Sequence, residues 1–195
     1  INRSSSKTQS AMLEAMQERQ VSIGGNRYKL PDVFIVIATQ NPIEQEGTYL
    51  LSEAQQDRFI IKETLHYPTS NEELEILNRI EKNVFEDGKK VVGIKEIKYL
   101  QELSKKVYID EAVKKYIISI VYATRNPSTV IRPELAKYVT NGASTRASIS
   151  FMEAGKALAL INGRTYVTPD DIKALSYSIL RHRISLNFEA IVDEV

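Results

Sequence analysis

The sequence predicts two parts in series: an α/β segment over residues 1–69, then an all-α helical segment over 70–195. Three observations carry this. Residues 33–38 read VFIVIA, an apolar run of strand length with no polar alternation, which suits a strand covered on both faces of a parallel sheet. Pro68 then closes a region in which helix, hairpin and strand patterns mix. Beyond it, five stretches carry helical periodicity, several with recognisable ends.

In chain order, residues 8–19 form a helix with Ala11, Met12, Ala15 and Met16 on one apolar stripe. Residues 21–30 alternate about Gly24-Gly25 and read as a β-hairpin. The apolar strand follows and ends at Thr39-Gln40-Asn41-Pro42, because proline has no N–H and pushes Asn41 toward an extended backbone. Ser52 with Gln55 makes a capping box for a short helix over 52–57, and residues 59–65 read as a second strand. The region 68–71 is the expected linker, and 85–93 a loop. Helices are expected over 71–82, 94–105, 110–126, 144–162 and 168–180. Asp110 is an N-cap, Thr168-Pro-Asp-Asp is a start signal, and Gly163 stands where a C′ glycine belongs. Phe151, Ala154, Leu158 and Ile161 give the fourth of these helices its core stripe.

Composition bounds the function. Apolar residues make up 43%, enough for a core, and the formal net charge of +1 gives no global reason to expect nucleic acid or an anionic membrane as main partner. There is no cysteine, hence no disulfide or thiolate metal site, which is compatible with the reducing cytosol where the protein is expected to be cytoplasmic. His66 and His182 are far apart in sequence, so no metal site is expected. No apolar run approaches the roughly 20 residues of a membrane span. The chain opens on Ile1-Asn2-Arg3 without an initiator methionine and is expected to be a piece of a longer protein.

Three polar features are candidates for chemistry. Asn41 stands at the carboxyl end of the apolar run, where ligands of open α/β sheets bind, although Asn-Pro also caps turns. Arg58, in EAQQDRF, sits at a helix–strand junction where its planar fork is free for a phosphate or for a surface salt bridge. Arg146, in GASTRAS, falls in the first turn of a helix capped by Ser144. The dipole disfavours a cation there, so either an anion is shared with the free N–H groups or a carboxylate pairs with the arginine. A phosphate loop of the form G-x-x-x-x-G-K-[ST] is absent: Gly88-Lys89-Lys90 and Gly155-Lys156-Ala157 both lack the hydroxyl.

The segments KTQSAMLEAMQERQV, FIVIATQNPIEQEGTY, EAQQDRF, GASTRAS and YVTPDDIKAL with LRHRI together resemble the MoxR family of AAA+ ATPases, in the family's order and over nearly the whole chain. The resemblance implies the back half of a P-loop AAA+ nucleotide-binding domain followed by a helical lid, with the Walker A loop and the Walker B acids upstream of Ile1. It further implies sensor 1 at Asn41, an arginine finger acting in trans at Arg58, and a sensor 2 arginine acting in cis at Arg146. ATP and Mg2+ follow as cofactors of the full-length parent, Asn41 and Arg146 as nucleotide contacts, and a hexameric homo-oligomer as the assembly. The hairpin over 21–30 would face a pore or client, and proteins with von Willebrand A domains are implied partners. These residues alone are expected not to hydrolyse ATP. Ser4-Ser5-Ser6, Ser52, Gln56 and Thr145 depart from common family residues and bear on loop stiffness. Other readings are a non-catalytic interaction module and a nucleic-acid motor. LRHRI over 180–184 is expected to be a set of cations favoured by a helix C-terminus.

Overall fold

The computed structural model describes residues 4–40, 51–84 and 88–193, so Asn41 lies outside the described residues. Helix α1 (Ser6–Glu18) starts where the Ser5 hydroxyl accepts from the Thr8 amide, and ends on Arg19 in the left-handed region. Its buried side holds Gln9, Leu13 and Ala15, while Met12 and Met16 are half-buried and Ala11 is exposed. The hairpin forms as expected, from β1 (Gln20–Ile23) and β2 (Asn26–Lys29), with Val21 opposite Tyr28. Gly24 and Gly25 take φ of +58° and +82°, the two positive angles that a two-residue turn of this hand requires.

Neither apolar run becomes a strand. Residues 33–38 and 59–65 carry no ladder, and Ile35 and Ile37 are 78% and 80% exposed. A strand exists only through a paired neighbour. Among the described residues no strand pairs with either run, so the apolar pattern stands without its sheet. Helix α2 (Glu53–Gln56) forms between them on the expected Ser52–Gln55 capping box.

Helix α3 (Ser70–Glu81) is started by a Thr69–Glu72 capping box and buries no residue. Helix α4 (Ile94–Lys106) follows, then α5 (Glu111–Arg125), where Asp110 accepts from the Ala112 amide at 2.8 Å. Short elements that periodicity does not signal come next: a 3-10 turn (Pro127–Thr129), α6 (Pro133–Ala136) and β3 (Val139–Asn141). Helix α7 (Thr145–Ile161) is central. The expected helix over 168–180 is divided at Leu175 into α8 (Pro169–Ala174) and α9 (Ser176–Leu180). The chain returns through β4 (Ser185–Leu186), antiparallel to β3, into α10 (Phe188–Val192).

The core lies in this helical half. Val113, Ile117 and Val121 of α5, four residues apart, face Ala147, Phe151 and Ala159 of α7, with Ile172 and Ile179 closing the cluster. The stripe on α7 differs in part from the one expected: Phe151 is buried and Ala154 and Leu158 are half-buried, but the other buried positions are Ala147, Ser150, Gly155 and Ala159, and Ile161 is 81% exposed. Small residues win because Ile172 must approach closely; a Cβ at Gly155 would stand 3.1 Å from its Cδ1. Arg164 and Asp171 brace the α7–α8 corner with two hydrogen bonds, at 2.7 and 2.5 Å, and this pairing holds the Asp171 carboxyl down at about 2.

Gly142 is the tightest point. A Cβ there would meet the backbone carbonyl oxygen of Thr124 at 2.4 Å, because the chain entering α7 passes against the end of α5. That contact cannot relax by turning a side chain. Gly142→Ala is expected to cost about 1–3 kcal/mol by overpacking, and Gly88→Ala, with open space around it, close to nothing. Urea denaturation of the two variants checks this; equal midpoints would refute it.

Candidate functional site

The site is assembled around one carboxylate. Asp57 ends α2 and is largely buried. One of its oxygens accepts from Arg183 Nε at 2.9 Å. The other accepts from the Ser144 hydroxyl at 2.7 Å and from Arg146 Nη1 at 3.3 Å. Burial would raise the Asp57 carboxyl, but the Ser144 hydroxyl and the two guanidinium groups outweigh it and hold it below its ordinary value.

Arg183 spends its donors on the segment that follows α2. Besides Asp57 it donates to the backbone carbonyls of Asp57, Phe59 and Ile60, to that of Ile179, and to the Ser150 hydroxyl. Its side chain is 1% exposed. The neighbouring His182 holds the Phe59 carbonyl at 3.0 Å. A carbonyl can only accept, so Nε2 carries the proton, and Nδ1 is buried without a partner. Burial is the main cause that pulls the His182 pKa down to about 4, and the ring is neutral at pH 7. Arg181 completes the set by donating to the Thr64 hydroxyl at 2.9 Å.

The helix-end role expected for LRHRI is present in part: Arg181 Nε donates to the Tyr177 carbonyl at 3.1 Å and Arg183 Nη1 to the Ile179 carbonyl at 2.6 Å, both in α9. The same side chains also supply hydrogen bonds to residues 57–64, whose backbone has no sheet to pair with, and an unpaired buried carbonyl is costly. A run of three basic-type residues after an apolar helix was the available signal; what they would meet was not visible in the sequence.

Of the described candidate arginines, Arg146 pairs with Asp57 and Arg58 is the next residue in the chain. Arg146, its amide bonded to the Ser144 hydroxyl at the start of α7, is 45% exposed and pairs with Asp57. Of the two readings of this dipole-opposed arginine, the carboxylate pairing is therefore present. The same carboxylate sits by the N-terminal end of α7, where a negative charge is favoured. Arg58 follows Asp57 directly. Its Nη1 donates to the Ala54 carbonyl at 2.8 Å, and its Nε is buried without a partner. Asn41 is not brought into this geometry, since it lies outside the described residues. Glu53, one turn before Asp57, accepts from Asn141 and from the Ser185 hydroxyl, so α2 is fastened to the helical half at both ends.

A helical lid bound to an arginine-bearing segment of an α/β domain defines an AAA-type architecture, and comparison with known proteins agrees. Residues 1–61 match the model of the ATPase family associated with various cellular activities (AAA), and residues 134–195 match the AAA lid domain. The whole chain is 42% identical to Chaperone MoxR1 of Mycobacterium tuberculosis and covers 52% of it. It is 45% identical over 192 residues to YeaC of Bacillus subtilis, covering 97% of this chain and 57% of that protein. A crystal structure of a Cytophaga hutchinsonii protein superposes with a TM-score of 0.92 at 46% identity, over all of this chain and 59% of the other. The chain belongs to the MoxR family of AAA+ ATPases. It spans about half the length of the curated relatives it matches.

Two stability predictions follow from the geometry. Asp57→Ala strands a buried guanidinium and should cost about 3–5 kcal/mol, whereas Arg146→Ala breaks a long, half-exposed pair and should cost under about 1 kcal/mol. Urea melts of both variants test the contrast, and similar losses would contradict it. The second concerns pH. His182 has an ordinary value of 6.5 and a folded value of about 4, so between these the unfolded chain binds more protons and stability falls as pH drops. The loss should reach roughly 3 kcal/mol at the acid end of that window. His182→Gln keeps a donor for Phe59 and should flatten the profile from pH 6.5 to 5; an unchanged slope would show that another group is responsible.

Proposed function

We propose that these residues are the finger and lid portion of an ATP-hydrolysing, chaperone-like AAA+ machine that remodels or matures protein complexes. It works as a homo-oligomeric ring of hexameric type in the cytoplasm. The reading divides the chain into a partial nucleotide-binding domain, residues 1–69, and a lid, residues 70–195. Proteins with von Willebrand A domains are the partners it includes. Ile23 and Tyr28 of the hairpin, both more than half exposed, support a client- or pore-facing role for that turn.

One observation carries the chemistry: Arg146 ion-pairs with the carboxylate of Asp57, the residue that precedes Arg58 in the chain. Both retain capacity for an anion. Among the described residues Arg58 makes one hydrogen bond, from Nη1 to the Ala54 carbonyl, and Arg146 is held by a single long contact to Asp57. In ATP hydrolysis water attacks the γ-phosphorus, the bond to the β-bridging oxygen breaks, and charge spreads over the phosphoryl oxygens. Two guanidinium groups stabilise that charge, and Asn41 is assigned the sensor 1 task of orienting the water. Mg2+ accompanies ATP. Among the described residues no group of three acidic, histidine or cysteine side chains could hold a metal, so its ligands are assigned to other residues. With no phosphate loop in the 195 residues, the chain by itself is proposed to be inactive.

The pairing of Arg146 with the residue next to Arg58 favours one ATP for both arginines. If Arg58 reaches a neighbour's nucleotide, Arg146 lies at the same interface, which argues against a cis role for it. Mixed rings of the full-length protein separate the cases. Each single variant, Arg58→Ala or Arg146→Ala, should regain activity when mixed with subunits crippled in the phosphate loop. Mixing the two arginine variants with each other should not restore activity, because every interface then lacks one arginine. Rescue in that last mixture would place Arg146 in cis. Full activity of both single variants would remove the reading altogether, as would steady-state ATP turnover by the 195-residue chain that repurification does not remove.

A further inference from the structure

We infer that Arg183 is a positioning residue for Arg58, so that the lid, and not the α/β part, sets where the finger points. The inference rests on the finger reading above.

The backbone on both sides of Arg58 is held by one guanidinium. Arg183 donates to the Asp57 carboxylate and carbonyl before it, and to the Phe59 and Ile60 carbonyls after it, at 2.9, 3.2, 2.6 and 3.1 Å. The anchor is itself fixed in the lid, through the Ile179 carbonyl of α9 at 2.6 Å and the Ser150 hydroxyl of α7 at 3.2 Å. A planar fork bonded in this way leaves little rotational freedom. The second anchor is Glu53, which fastens the first turn of α2 to Asn141 and Ser185. Among the described residues the Arg58 side chain bonds only to its own helix, through the Ala54 carbonyl. Its aim is thus inherited from the backbone of residues 57–60, and that backbone is inherited from α7 and α9. Displacing a charge-stabilising group by about 1 Å can cost on the order of 10²-fold in rate.

The test uses the full-length ring. Arg183→Lys keeps the charge and loses the fork. It should lower kcat about 10²-fold with the KM for ATP within about twofold. Glu53→Ala, at an exposed position, loosens the second anchor without touching the core and should give a smaller drop in kcat of the same kind. Circular dichroism and sedimentation establish that each variant folds and assembles. Two readouts separate positioning from general damage. Arg58→Ala combined with Arg183→Lys should be no slower than Arg58→Ala alone, because both act through one group. Arg183→Lys subunits should also be rescued by subunits that have a crippled phosphate loop and an intact finger. If Arg58→Ala abolishes turnover while Arg183→Lys and Glu53→Ala leave kcat unchanged, or the double variant multiplies the losses, the positioning role is overturned and the finger stands. If Arg58→Ala is fully active, the finger reading fails, and the positioning role fails with it. If Arg183→Lys does not fold, Glu53→Ala decides by the same double-variant comparison.

Discussion

The buried pair between Asp57 and Arg183 is the contact on which the rest of the described structure depends. A guanidinium 1% exposed is expensive to desolvate, and a single carboxylate seldom repays that cost. Here the pair is supplemented by carbonyl acceptors from residues 57, 59, 60 and 179 and by the Ser150 hydroxyl. With each donor placed, the arrangement specifies one geometry: replacing Arg183 with an apolar side chain of similar size would leave several buried carbonyls without donors. Its role is to dictate which surface of the helical half receives residues 53–64, more than to add net stability.

That placement changes what counts as a unit. Glu53, Asp57, Phe59, Lys62, Glu63 and Thr64 all make polar contacts with residues between 141 and 185. A lid movement that preserves these contacts carries α2 and Arg58 along. By contrast, α3 buries nothing and Leu74 and Leu77 are more than half exposed, so the stretch after Pro68 is covalently close to the lid but poorly packed on it. Sequence position and packing assign these two neighbouring segments differently, and packing is the better guide to which segments move together.

Helix ends were the most legible feature of the sequence, because caps are local chemistry. Asp110, Ser144, Thr168 and the Ser52–Gln55 box all act as their residue types suggest. The runs at 33–38 and 59–65 show the opposite case. Their composition describes strands in a covered sheet, but a strand is a property of two segments, and the described residues supply no second one. On α7 the pattern points to Ile161 because it is large and apolar, while the close approach of Ile172 selects Gly155. Of the site, Arg58 and Arg146 were legible from motif and helix position. Asp57 and Arg183 were not, because 126 residues separate the partners and nothing in either local pattern names the other.

The two arginines on Asp57 differ in a way that bears on function. Arg183 is sealed in, whereas Arg146 is 45% exposed and its contact is 3.3 Å. An arriving anion could displace the carboxylate from Arg146 but could not reach Arg183. Asp57 would then keep Ser144 and Arg183, so the lid would stay fastened while Arg146 changed partner. The first turn of α7 suits such an exchange: the positive end of its dipole favours any negative charge, and a phosphate carries more of it than the carboxylate it would replace. An arginine that opposes a helix dipole is thereby compensated in both states, by Asp57 in one and by phosphate in the other. Its unfavourable location costs little when the site is empty and becomes favourable when an anion is bound. A permanent bond and an exchangeable one on a single carboxylate would let nucleotide be sensed without dismantling the junction that aims Arg58.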